Sequence, residues 1–483
     1  MRSVFERAEI RKAKRRVGKQ QPNLATERPD LAKEQGADSL PEIDHIVVLM
    51  MENHSYDNYF GMLAGRGDGF TLGPDGQPTE SNNKADGSSV PLTHFSGTRQ
   101  VAGLPTQAWS ASHIQDNGGA CDGFVRSIEE TLPGKDATVA MRYWTEQDLP
   151  FYYGLAKTFP LATRWFSSCL GPTFPNRRFM IAGTAHGLID DLPFGMGDYP
   201  EAGTIFDLLT AHKISWVNYH NVPPWQINFK RFFHTPGVNI FRMIGAFFAW
   251  LFPSLLKAVQ SKLQCTADLY PLGTLRSINH LRTMRQLFVD ARNGTMPSVS
   301  IIDPDFGQWS EENPQDIQNG EAFASKVINA VMTGKSWPKT LLIWVYDEHG
   351  GYYDHVPPPA APVPDDVPGA NPIKRHWWLG LILRFTPYAK QINVIDSGTS
   401  AYDRLGFRVP AVIVSPYARL NHVTDTVYDH TSILKLIERK WNLPSLTHRD
   451  AVANDPLDAV DFESPPAFLI PPALPPSKGT INL

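Results

Sequence analysis

IDHIVVLMMENHSYDNYFG, residues 43–61, opens on an apolar run from Ile46 to Met51 and breaks into the polar burst Glu52-Asn53-His54-Ser55-Tyr56-Asp57. An apolar run of that length bounded by polar residues suits a strand buried on both faces. The burst falls just past the strand's carboxyl end, where open α/β sheets carry their chemistry. Glu52 and Asn53 set a carboxylate beside an amide oxygen, both hard donors of the kind a divalent cation accepts. Taken alone, the burst reads equally as a polar strand-to-helix loop with Asp57 near a helix start.

Later stretches repeat the design. Ser298–Ile302 reads as a strand ending in Asp303-Pro304-Asp305. Thr340–Tyr346 is an apolar strand ending in Asp347-Glu348-His349-Gly350-Gly351, with Asp354-His355 beyond. Ile214–Tyr219 and Val409–Val414 are further strands, and Glu321–Met332 and Ser432–Trp441 read as helices. Thr145 reads as the N-cap of a helix running toward Phe166. This alternation predicts one mostly parallel sheet with helices on both sides.

In GPTFPNRRFMIAGTAHG, residues 171–187, Pro172 and Pro175 fix the backbone around Thr173 and a helix opens over Asn176–Thr184. Thr173 then stands near a helix N-terminus, a place that favours phosphate.

Composition sets bounds. The 483 residues, 42% hydrophobic and 19% charged, fill one large domain or two. A net charge of −4 gives no reason to expect nucleic acid as a partner. Cys121, Cys169 and Cys265 are widely spaced and form no thiolate zinc pattern. Residues 1–40 read as a charged arm, helical or loose and solvated. They lack the apolar core of an export leader, so a cytoplasmic location is expected. Residues 64–97 read as a long surface loop, and residues 446–483 as a Pro-rich tail. Insertions are expected near 64–97, 220–270 and 357–400. Two apolar patches, Ile240–Leu256 and His376–Phe385, fall well short of the ~20 residues that span a bilayer. They read as buried or cap elements, or as a peripheral contact with lipid.

Glu52, Asn53, Thr173, Asp347 and Glu348 together supply three carboxylates, an amide and a hydroxyl, a set suited to one Ca²⁺ or Mg²⁺. A cation on the Thr173 hydroxyl would stabilise its alkoxide for attack on phosphorus. His113 and His355 are candidates to protonate the leaving alcohol. Asn176, Arg177 and Asp354 are candidates for substrate binding.

Four blocks in order, ENHSYDNYFG, GPTFPNRR, DEHGGYYDHVPPP and GFRVPAVIVSPYA, resemble the motif set of the bacterial and plant non-specific phospholipase C and acid phosphatase family. The similarity spans residues 43 to about 441, the stretch expected to hold a catalytic domain over 41–445. It implies an alkaline-phosphatase-like three-layer α/β/α sandwich. It implies metal ligands at Glu52, Asn53, Thr173, Asp347 and Glu348, with Thr173 as nucleophile. Where many members carry Glu-His-Pro, this chain has Glu312-Asn313-Pro314, and Asn313 cannot act as an acid. Threonine at 173 resembles the phospholipase branch more than the serine of the phosphatases. The expected function is hydrolysis of glycerophospholipids in the phospholipase C manner. The alternatives are a phosphomonoesterase on soluble esters and a lipid-binding module without turnover.

Overall fold

The computed structural model describes residues 2–17, 28–191, 199–220, 265–270, 273–370 and 401–482. Both apolar patches of the sequence, 240–256 and 376–385, lie outside the described residues.

The central strands are β1 (His45–Met51), β6 (Leu161–Ala162), β7 (Trp216–His220), β8 (Leu281–Thr283), β9 (Val299–Ile302), β10 (Thr340–Tyr346), β11 (Ala411–Val414) and β12 (Val423–Thr424). They form one sheet in the order β12-β6-β11-β10-β1-β9-β7-β8. The five strands from β10 to β8 run parallel, and β11 is antiparallel to both its neighbours. Residues Ile46–Met51 and all of β10 are buried, so both faces of the sheet are covered and the layers are α/β/α. The remaining strands, β2 (Ser81–Asn83), β3 (Ser89–Pro91), β4 (Thr93–His94) and β5 (Arg142–Tyr143), make two small ribbons within and beside the stretch expected to be plain loop.

The helices of interest are α1 (Arg2–Val17), α2 (Tyr56–Phe60), α3 (Trp109–Asp116), α4 (Phe124–Thr131), α5 (Pro150–Thr158), α6 (Thr173–Ala182), α7 (Ile205–Ala211), α8 (Met284–Asn293), α9 (Ile317–Met332) and α10 (Thr431–Trp441). Three helix starts correct the sequence reading, α9 opening at Ile317 rather than Glu321 because the Asp316 carboxylate caps it on the Gln318 amide. The helix expected from Thr145 starts at Pro150, because the Asp148 carboxylate closes a turn on the Thr145 amide and hydroxyl at 2.8 and 3.0 Å. α6 starts at Thr173 rather than Asn176, since Pro175 sits in the first turn, where its missing N–H costs nothing.

The first helix of the N-terminal arm packs against the domain. α1 docks on α7 through Arg16 to Asp207 at 2.6 Å, and Glu9 lies 3.0 Å from the ring of His280. The Pro-rich tail is also held down, with the Phe468 amide donating to Pro416 O and Trp337 Nε1 donating to Phe468 O, each at 2.9 Å. All three cysteines are buried. No helix among the described residues is long and apolar enough to cross a membrane.

Candidate active site

β1 and β10 lie side by side in register, Met51 against Tyr346, so their polar continuations meet. The ladder runs one step further, the Asp347 amide donating to Met51 O at 3.1 Å. Beyond it the chain turns sharply on both strands. Asn53 takes a left-handed φ of 70°, a conformation asparagine tolerates better than most residues. Gly350 has φ +67°, and a Cβ there would lie 1.9 Å from the Asn53 carbonyl oxygen. These turns bring Asn53 N within 3.3 Å of Asp347 Oδ1, which also accepts from the Glu348 amide at 2.8 Å. Glu348 Oε2 accepts from the Gly350 amide at 2.6 Å. Glu52, Asn53, Asp347 and Glu348 are all buried.

Three buried carboxylates in one place need compensation. Arg177, on α6, supplies part of it. Its Nε donates to Asp347 Oδ2 at 2.8 Å, and its Nη1 to Asp303 Oδ1 at 2.9 Å and Thr266 Oγ1 at 3.2 Å. Its Nη2 donates to Met50 O and Met51 O at 3.3 Å each and lies 3.8 Å from Glu52. All five guanidinium N–H groups are thereby placed. Arg177 is a strut tying α6 to the ends of β1, β9 and β10, which corrects its assignment as a substrate binder.

One guanidinium does not balance these acids. Burial, and then the charge of Asp347, push the Glu52 and Glu348 carboxyls well above their usual range. Asn53 Oδ1 and Nδ2 and Glu348 Oε1 are buried with no hydrogen-bond partner. Orphaned hard donors beside surplus negative charge fit one Ca²⁺ or Mg²⁺. Among the described residues no group of three or more His, Cys, Asp or Glu side chains is placed to hold a metal ion by itself. The donor set therefore rests on carboxylates and an amide together.

Thr173 is the first residue of α6, one turn before Arg177, so the strut also fixes Thr173 relative to the acids. The helix end is less open than the sequence suggested. Pro175 removes one amide, and the Phe174 amide already donates to Asp191 Oδ1 at 2.7 Å. Burial pushes the Asp191 carboxyl up to about 8, against the pull of that amide. Asn176, expected to touch substrate, is spent on structure. Its Nδ2 donates to Gly171 O at 2.8 Å and its Oδ1 accepts from the Cys169 amide at 3.0 Å. The loop before Thr173 is held to the helix that follows it.

The structure does not bring the two proposed histidine acids to the same place. His355 and Asp354 belong to a separate cluster around buried Arg408, which donates to Asp354 Oδ1 at 2.8 Å and Asp57 Oδ1 at 2.9 Å. His355 Nδ1 lies 2.6 Å from Asp57 Oδ2. Burial opposes the His355 charge, but Asp57 wins and holds the imidazole above its ordinary pKa. Asp354, with Arg408 on one oxygen, is no free substrate binder. His113, on α3, has Nδ1 2.7 Å from Trp109 O, and burial lowers its pKa. A Cβ on Gly171 would lie 2.9 Å from the Trp109 ring, and the His113 ring packs on the same tryptophan at 4.8 Å between centroids. Asn313 donates to Leu104 O at 3.1 Å, a loop contact.

Sequence reading passed over three groups here. Asp303 anchors Arg177. His430 donates through Nε2 to Asp347 O at 2.6 Å and supports the end of β10. His220, the last residue of β7, is buried with neither ring nitrogen bonded. Its one signal in the sequence was its place directly after the Ile214–Tyr219 run.

A family model described as Phosphoesterase family matches residues 43–444. Phospholipase C A of Mycobacterium tuberculosis (strain ATCC 25618 / H37Rv) is 29% identical over 481 residues, covering 91% of this chain and 82% of its own length. Non-specific phospholipase C6 of Arabidopsis thaliana is 27% identical over 460 residues, covering 90% of this chain and 75% of its own. A solved structure from Vibrio parahaemolyticus, described as a protein in the alkaline phosphatase superfamily, covers 92% of this chain and 77% of its own at 9% identity and a TM-score of 0.34.

Proposed function

The chain belongs to the phosphoesterase family and is a hydrolase of phosphoric esters, and we propose that it is a metal-dependent phospholipase C, cleaving the glycerol side of a glycerophospholipid's phosphodiester with Thr173 as nucleophile. The observation that carries this reading is the set of buried donors at the ends of β1 and β10, with Asn53 and Glu348 oxygens unpaired, held to the start of α6 by Arg177. The relatives' names supply the lipid substrate class.

Glu52, Asn53, Asp347 and Glu348, with Thr173, would hold the cation. When bound, a hard divalent ion stabilises the Thr173 alkoxide and the charge on the phosphoryl oxygens. The chain's own residues do the rest. Asn176 and the two prolines hold the Thr173 backbone in one conformation. Arg177 keeps α6 from drifting away from the acids. Thr173 Oγ attacks phosphorus, and diacylglycerol leaves. Water then releases the phosphorylated head group from Thr173. A substrate phosphate at the α6 N-terminus takes the Phe174 amide from Asp191. Contact with the lipid surface would run through residues 240–256 and 376–385.

Hydrolysis of phosphatidylcholine and of p-nitrophenyl phosphate, each with and without EDTA, tests this. The expected result is diester cleavage that EDTA abolishes and Ca²⁺ or Mg²⁺ restores. Preference for the monoester would favour a phosphomonoesterase, and full activity in EDTA would overturn the metal.

A further inference from the structure

Histidine at the end of β7 has no structural employment. β7 runs parallel to β9 with Tyr219 paired to Ile302, which sets His220 opposite Asp303 at the same carboxyl edge that carries Glu52 and Asp347. Asp303 is already saturated. Oδ1 accepts from Arg177 at 2.9 Å and from the Thr266 hydroxyl at 2.7 Å. Oδ2 accepts from Asn218 at 2.8 Å and from the Thr266 amide at 2.7 Å. Asn218 in turn accepts from the Ala267 amide at 2.9 Å. Among the described residues, Asn218, Thr266 and Asp303 at the end of β7 are paired with one another, and the imidazole is left out. It is 5% exposed, and neither nitrogen has a partner. A buried imidazole with two idle nitrogens is a cost to the fold, and a partner from outside the chain removes it.

We infer that His220 is a catalytic residue of the phosphodiester cleavage, the acid that protonates the leaving alcohol and the base that then activates water. This rests on the phospholipase C reading above. The edge positions fit it. At about 4.8 Å per strand, the end of β7 stands roughly 10 Å from the end of β1, with β9 between. In-line displacement places nucleophile and leaving oxygen on opposite sides of phosphorus. With the Thr173 assembly anchored at β1 and β10, the acid belongs on a strand further along. Asn313 cannot supply a proton, and His113 and His355 each have one ring nitrogen engaged, by Trp109 O and Asp57 Oδ2. Burial lowers the pKa of His220 to about 4, and Asp303 pulls against that. An arriving phosphoester anion adds to the same pull.

The protons balance. In the first step the Thr173 alkoxide forms a bond to phosphorus as the bond to the glycerol oxygen breaks, and the His220 imidazolium gives its proton to that oxygen. In the second, neutral His220 takes a proton from water as the water oxygen bonds phosphorus and the Thr173 alkoxide leaves. Enzyme and His220 return to their starting states.

The test compares His220→Gln and His220→Asn with wild type on two phosphocholine esters. One is monomeric dihexanoyl phosphatidylcholine, whose alkoxide needs a proton to leave. The other is p-nitrophenyl phosphorylcholine, whose phenolate does not. Only the ratio of the two rates is read, because it is independent of how much of each preparation folds. Loss of the acid should lower that ratio about 100-fold or more. A ratio within threefold of wild type in both variants overturns the assignment of His220. A wild type that cleaves neither ester overturns the phospholipase C reading itself, and His220 with it.

Discussion

Arg177 carries the heaviest electrostatic duty of any single residue at this site. It is fully buried and pairs with Asp347 and Asp303, 170 and 126 residues away in sequence. Removing one partner of a buried ion pair leaves an uncompensated charge, which costs about 3–5 kcal/mol. Arg177→Met should lose that much in urea unfolding, and a loss under about 1 kcal/mol would contradict the strut. Its sequence context, Pro-Asn-Arg-Arg, suggested a phosphate binder. That reading failed because the role of a guanidinium depends on which acids the fold sets around it. Glu52, Asn53, Asp347 and Glu348 were legible because a strand ending in a carboxylate is a local pattern. The idle oxygens of Asn53 and Glu348 make a prediction of their own. Glu348→Gln removes a charge from the donor set and should weaken Ca²⁺ or Mg²⁺ binding about tenfold or more in calorimetric titration. Unchanged affinity would take Glu348 out of the set.

At the level of elements, the site exists because β1 and β10 are neighbours whose chains turn in step. Gly350 is the tightest point, with φ +67° and no room for a Cβ against the Asn53 carbonyl. Gly350→Ala should force the two turns apart, lowering metal affinity and melting temperature together. A variant that melts and binds metal like wild type would mean the turns are independent. The Arg408 cluster makes a similar joint between α2 and the segment after β10. His355 is held there above its ordinary pKa of about 6.5 by Asp57. A raised folded pKa contributes stability that is fully present below the unfolded value and is lost as pH rises through the folded one. The melting-temperature gap between wild type and His355→Gln should therefore be larger at pH 5.5 than at pH 9. A gap that is flat or grows with pH would contradict the ion pair. Five of the eight central strands were legible to within two residues because apolar runs have sharp ends, whereas the short β6, β8 and β12 were not. Helix starts shifted where a side chain closed a turn, as Asp148 does, or where a proline sat inside the first turn.

Across the whole molecule, the sheet order β10-β1-β9-β7 collects residues 347, 52, 303 and 220 along one edge, though in sequence they span nearly 300 positions. The mostly parallel α/β plan was readable from alternating patterns, whereas strand order was not. Which strands become neighbours is decided by packing over the whole sheet, and β11 enters antiparallel. His220 had only its place after the Ile214–Tyr219 run to mark it, because the pairing of β7 with β9 that sets it opposite Asp303 is not written in the local pattern. The arm was read as helical or loose and the tail only as Pro-rich, because charge and proline content do not reveal the partners Asp207, His280 and Pro416. The central claim is that Thr173, at the start of the helix that Arg177 ties to these acids, is the attacking group. It is tested most directly by the turnover of phosphatidylcholine by Thr173→Ala in saturating Ca²⁺ or Mg²⁺, with folding verified by melting temperature. Loss of a nucleophile should lower the rate by on the order of 10⁴-fold or more at an unchanged melting temperature. A folded Thr173→Ala enzyme working within tenfold of wild type would contradict it.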